Sequence, residues 1–193
     1  TEAQRQRAES NLQLALETLD EVYLPLAESE FSEPIEITER DRRFLQKVLP
    51  FYEQLVAQKT DDPQMLDVKA HAYLRVGNIY RNLRAHPDET NAPSELALKQ
   101  AIALFQQLSR KFAGNLAYQQ KLAESYRSLG ILLTPRRRIK AKEAFQTAIR
   151  IYRPVIMESG DARDYASRGN CYRQLKRYDD ALNDFRMAVD LEP

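Results

Sequence analysis

The sequence predicts an all-α fold of about four helix hairpins. Three observations predict it. Apolar stripes of helical period run through the chain, and no clear alternating strand pattern interrupts them. Glycines recur at one place in alternate stripes, at Gly77, Gly130 and Gly169. The connections between stripes are mostly short, so successive helices should pack antiparallel.

The elements follow in order. A first helix is expected over about residues 2–28, with the stripe Leu12, Ala15, Leu16, Leu19, Val22, Tyr23 and Leu26. An acidic connector over 29–37 holds Pro34 as a breaker. Thr38 with Asp41 resembles a capping box and opens a second helix, in which Pro50 predicts a kink. Asp62-Pro63 is a cap followed by a first-turn proline, and starts a third helix. A polar loop over 85–93 leads to a fourth helix, which ends before Gly114-Asn115. The fifth helix closes before Thr134-Pro135, read as the cap and first-turn proline of the sixth. The sixth runs to about Met157, and Ser159-Gly160-Asp161 breaks it. The last two helices span about 162–176 and 178–191. The chain thus reads as one domain: an atypical N-terminal hairpin at 1–58, then hairpins at 63–112, 116–157 and 162–193.

Composition excludes several function classes. Of the 193 residues, 29 are Lys or Arg and 28 are Asp or Glu, a net charge of +1. A chain so balanced is a poor general nucleic-acid binder, because that affinity comes from neutralising phosphates. Only 5 glycines argue against phosphate-cradling folds, which need several turns at positive φ. One cysteine excludes an internal disulfide and a cysteine-based zinc site. His71 and His86 lie too far apart to form a cluster, so no metal or cofactor is expected. No apolar run approaches the roughly 20 residues of a membrane helix. The chain begins at Thr1 without a secretion signal and is expected to be a piece of something longer, cytoplasmic by default.

The last hairpin carries the sharpest pattern. Tyr165, Gly169 and Tyr172 are followed by Ala181, Phe185 and Ala188, with Pro193 at the end. Gly169 and the two alanines should let paired helices approach closely, while the aromatic rings fill the space between hairpins. The pattern recurs as Tyr126, Leu129, Gly130 and Leu133 with Ala141, Phe145 and Ala148, and as Tyr73, Val76, Gly77 and Tyr80 with Leu98 and Ala101. This spacing resembles the tetratricopeptide repeat, a two-helix unit of about 34 residues. Arg168 departs from the family, which usually has leucine before the glycine. The run from Asn11 through Phe51-Tyr52-Glu53 to Tyr73–Tyr80 is similar to repeat regions attached to some bacterial serine/threonine kinases, although no kinase motif is present here.

The resemblance implies a right-handed superhelical α-solenoid and a noncatalytic interaction module whose inner helices line a concave face. By helical spacing, the candidate lining residues are Arg75, Asn78, Arg81 and Asn82 on the third helix. Arg127 and Ile131 join them from the fifth, and Arg163, Asn170, Arg173 and Gln174 from the seventh. Arginine grips a carboxylate bidentately, and asparagine pairs with an extended backbone. The groove is therefore expected to take a protein or peptide partner, an acidic or C-terminal segment. The alternative is that these side chains are the solvated faces of amphipathic helices. Reversing the charge of Arg127 and Arg173 is expected to abolish capture without unfolding. Leu74 and Ser167 stand where the family's chaperone-tail clamp would need basic residues, so that specificity is not carried over.

Two further features are read as structural, and a third carries the alternative function. Residues 136–142, Arg-Arg-Arg-Ile-Lys-Ala-Lys, could contact an anionic partner, but a solvated turn is the plainer reading, and no interleaved aromatics suggest nucleic acid. Cys171 reads as a core residue, since no histidine is near it. Leu182, Phe185 and Val189 are expected to remain partly uncovered, which makes self-association into a homodimer the alternative function.

Overall fold

The computed structural model describes residues 38–57, 62–83 and 91–192. The expected first helix over 2–28, the acidic connector over 29–37 and His86 lie outside the described residues. The chain divides into two compact units, residues 1–44 and 45–193.

Seven helices are present among the described residues: α1 (Glu39–Ala57), α2 (Pro63–Leu83), α3 (Ala92–Lys111), α4 (Leu116–Leu133), α5 (Arg138–Ser159), α6 (Ala162–Gln174) and α7 (Tyr178–Leu191). Among those residues there is no strand, and the fold is an all-α helical repeat. In the first unit, the described residues start α1 with a reciprocal cap. Thr38 N donates to Asp41 Oδ2 at 3.0 Å, and Asp41 N donates to Thr38 Oγ1 at 3.2 Å.

In the second unit each helix packs on the next: α2 on α3, α4 on α5 and α6 on α7 within hairpins, then α3 on α4 and α5 on α6 between them. Around Phe105, Leu122, Phe145 and Tyr152 the side chains form one continuous core that reaches Cys171. A single hairpin could not shelter this surface, so stacking supplies the burial. Tyr80 Oη donates to Glu53 Oε1 at 2.5 Å and ties α2 to α1.

The glycines do what their spacing implied. A Cβ on Gly77 would meet the Leu98 side chain at 2.6 Å. On Gly130 it would meet the Phe145 ring at 2.7 Å, and on Gly169 the Phe185 ring at 2.8 Å. Three hairpins thus repeat one contact, a bare backbone against a large side chain of the partner helix. The first uses a variation. Ser94 stands in α3 where α5 has Ala141 and α7 has Ala181, and its hydroxyl donates to Gly77 O at 2.7 Å.

Boundaries differ in two places. Asn91 caps α3, accepting from Ser94 N at 3.1 Å, so the polar loop ends before Ala92 rather than at Pro93. Thr134 does not open α5. It closes α4, its hydroxyl donating to Gly130 O at 2.9 Å, and α5 starts only at Arg138. A threonine before a proline reads as a helix start, but here the Gly130 carbonyl of α4 accepts both the backbone N–H and the hydroxyl of Thr134. The remaining ends match their signals: Gly160 closes α5 at φ 62°, and Asp161 caps α6, accepting from Arg163 N at 2.7 Å.

Candidate interaction face

The first helices of the three hairpins, α2, α4 and α6, carry every candidate lining residue. α4 also meets α2 and α6 directly. That placement brings residues far apart in sequence to one face. The face is not a row of solvated side chains: Arg75, Asn78, Arg81, Arg127 and Asn170 are buried. Only Arg163, Arg173 and Gln174 are exposed, and Asn82 and Ile131 are half-buried.

Glu124 explains much of this burial. It sits on α4, and its carboxylate faces Lys121 and Arg127 of the same helix and Arg75 of α2. Lys121 Nζ donates to Glu124 Oε2 at 2.9 Å. Burial pushes the Glu124 carboxyl upward, but the three cations outweigh it and hold it down at about 2. Arg127 also faces Tyr152 of α5 and Cys171 of α6. Burial raises the Tyr152 phenol, which is hydrogen-bonded to Ser167, and pushes the Cys171 thiol up to about 12. Cys171 is therefore an inert core thiol. The expectation that Arg127 could be reversed without unfolding needs correction. At 9% exposure, a reversed charge would set a second carboxylate beside Glu124 in the interior.

The asparagines are different. Asn78 follows Gly77 and Asn170 follows Gly169, so they hold the same place in the first and third hairpins. Asn78 is 4% exposed and Asn170 5%. Asn170 Nδ2 donates to Ala166 O at 3.1 Å, but the Oδ1 of both residues accepts no hydrogen bond. A buried acceptor without a donor costs free energy unless something supplies one. Arg81 Nε donates to Asn82 Oδ1 at 3.3 Å, so these two candidates engage each other.

The departure at Arg168 has a partner. Its Nε and Nη2 donate to Asp184 Oδ2 and Oδ1 at 2.8 and 2.7 Å, a bidentate grip on a buried carboxylate. The same guanidinium lies 5.6 Å from the centre of the Tyr165 ring and 5.9 Å from that of Tyr172. Sequence reading missed this clamp, although the unusual arginine and an aspartate 16 residues later were its signal. Sequence reading also missed Tyr152 and Ser167 as parts of the polar interior. Leu74, noted for lacking a basic group, is fully buried core. His71 packs edge-on against Phe105 at 5.2 Å, which gives it a packing role. Among the described residues, no three His, Cys, Asp or Glu side chains gather as a metal-ligand set.

Residues 162–193 match the family model described as Tetratricopeptide repeat. No curated protein matches the chain. Among solved structures it is similar to MamA, at 17% identity over 81% of this chain and 93% of that one, with a TM-score of 0.24. The matched hairpin is α6–α7, and the two hairpins before it repeat its glycine contact. Residues 162–193, the α6–α7 hairpin, are thus similar to a tetratricopeptide repeat.

Proposed function

We propose that the α2–α4–α6 face binds an extended polypeptide segment, and that the chain works as a noncatalytic interaction module. Tetratricopeptide repeats generally mediate protein–protein contacts. One observation carries the finer reading: Asn78 Oδ1 and Asn170 Oδ1, buried on equivalent positions, accept no bond within the chain. A turn of each amide toward the surface would present both to the backbone N–H groups of a bound strand. Arg163 and Arg173, exposed on α6, supply cations for an acidic side chain or a terminal carboxylate.

The test is binding of the chain to an array of acidic and C-terminal peptides. Asn78→Leu with Asn170→Leu removes both acceptors at similar volume, and Arg163→Glu with Arg173→Glu reverses only exposed charge. Each pair is expected to lower affinity at least about tenfold, the worth of one or two hydrogen bonds, while thermal melting of the arginine pair stays at the wild-type value. Peptide binding unaffected by both pairs rejects this face. A second reading is self-association through α7, favoured by its exposed Leu182 and Val189. Light scattering across a dilution series separates the two: a dimer that persists on dilution supports α7, a monomer the groove.

A further inference from the structure

A different surface carries its own partner. Successive helices are antiparallel, so the ends of α2, α4 and α6 and the starts of α3, α5 and α7 lie at one end of the second unit, and the turns at 112–115 and 160–161 at the other. Arg137, in the α4–α5 turn, grips Glu95 near the start of α3, its Nη1 at 3.2 Å from Glu95 Oε1, which joins two neighbouring hairpins along this edge. Lys99 Nζ reaches the same carboxylate at 2.7 Å, so two cations hold Glu95 well below the usual carboxylate range, the Arg137 bond contributing most. Arg177 in the α6–α7 turn likewise engages Asp180, at 2.7 Å.

With those acids neutralised, the edge is basic. Arg136, Arg138, Lys140, Lys142 and Lys176 are exposed on it, against the exposed acids Glu143 and Asp179. Apolar side chains stand out among them: Ile139 is 78% exposed, Leu96 and Tyr178 are each 62% exposed, and Leu182 lies one turn beyond Tyr178. Positions matched through the repeat make the last two unusual. Tyr178 and Leu182 stand where α5 has Arg138 and Lys142, at sites that the stacking leaves in solvent.

We infer that this turn edge docks on an anionic lipid bilayer surface, the cations lying against headgroups and Ile139, Leu96, Tyr178 and Leu182 entering the interface. A nucleic-acid backbone would use the cations but has no place for Ile139 and Leu96. A folded protein partner would need a complementary pocket for each protruding side chain, whereas a fluid interface accepts them as they stand. Docking of this kind needs no spanning helix, and none among the described residues is long and apolar enough to span.

Co-sedimentation of the 193-residue chain with vesicles tests it, using phosphatidylcholine alone and phosphatidylcholine with phosphatidylglycerol at low salt. Binding to the anionic vesicles only is expected, weakening with added salt. Arg138→Glu, Lys140→Glu and Lys142→Glu together should weaken it at least about a hundredfold, from roughly fivefold per basic residue. These changes put carboxylates at the start of α5, where the helix dipole favours them, so the variant should keep its helical signal. Ile139→Ser should weaken binding several-fold with the salt dependence unchanged. Equal binding to neutral and anionic vesicles, or none, overturns the inference. So does capture of duplex DNA or polyglutamate in which Ile139→Ser binds as tightly as wild type. Because the edge and the α2–α4–α6 face share no residue, failure of one leaves the other standing.

Discussion

At the scale of single residues, glycine sets the distance between helices. Gly130 faces the Phe145 ring so closely that an added methyl would lie 2.7 Å from it. That ring is buried in the core and has little room to retreat. Gly130→Ala is therefore expected to destabilise the fold by about 1–3 kcal/mol, the usual cost of overpacking. Gly114 is the internal control. A methyl there meets nothing within 4 Å, and its φ is not in the left-handed region. Gly114→Ala should lie within about 1 kcal/mol of wild type, on the stabilising side, because it restricts only the unfolded chain. Chemical denaturation of the two variants checks both values. Cost at both sites, or at neither, would mean that the close approach is not what stabilises the hairpin. These glycines were fully legible in the sequence, because a residue needed for its lack of a side chain leaves a gap in an otherwise apolar stripe.

At the scale of elements, the α6–α7 pair replaces an apolar contact with an ionic one. Asp184 occupies the place of Ala144 in α5, and Arg168 crosses from α6 to hold it. Both side chains are largely shielded, 16% and 6% exposed. Arg168→Leu restores the family's usual residue, yet it is expected to destabilise by about 3 kcal/mol or more, because a carboxylate stays buried without its partner. Adding Asp184→Ala, the residue of the neighbouring hairpin, should recover most of the loss. Thermal melting of the single and double variants makes the comparison, and a single variant as stable as wild type would dismiss the clamp. The sequence marked Arg168 as out of pattern but could not supply its partner. Periodicity assigns a residue to a face, whereas this bond depends on which residue of the opposite helix lies level with it. The same limit explains Arg75 and Arg127. Helical spacing put them on one stripe of their helices but said nothing of depth, and both lie buried near the Glu124 carboxylate. Thr134 failed for a related reason: its threonine–proline signal is local, and the carbonyl that captured it belongs to the helix before.

At the scale of the molecule, charge couples the hairpins. Glu124 joins α2 and α4 through Arg75, and Arg127 extends the network to Tyr152 and Cys171. The Glu124 carboxyl is held down at about 2 against an ordinary 4.5. A lowered acid stabilises the fold above its ordinary value, and that contribution fades as pH falls from 4.5 towards 2. Asp164, which burial pushes upward despite bonds from Gln120 and Ser159, acts in the opposite sense and softens the decline. The melting temperature is expected to drop across this window, and Glu124→Gln to drop less over the same range while starting lower. Parallel curves for the two proteins would remove Glu124 as the coupling point.

The α2–α3 hairpin is fastened by side chains of its second helix. Asn91 Nδ2 donates to Tyr80 O at 2.6 Å, and Ser94 donates to the Gly77 carbonyl, so α3 is riveted to α2 at the mouth of the 84–90 segment. Closing a longer loop adds only a logarithmic entropic penalty once its ends are pinned. The practical result is that the register of α3 on α2 is carried by these two bonds, whatever the length of chain between them.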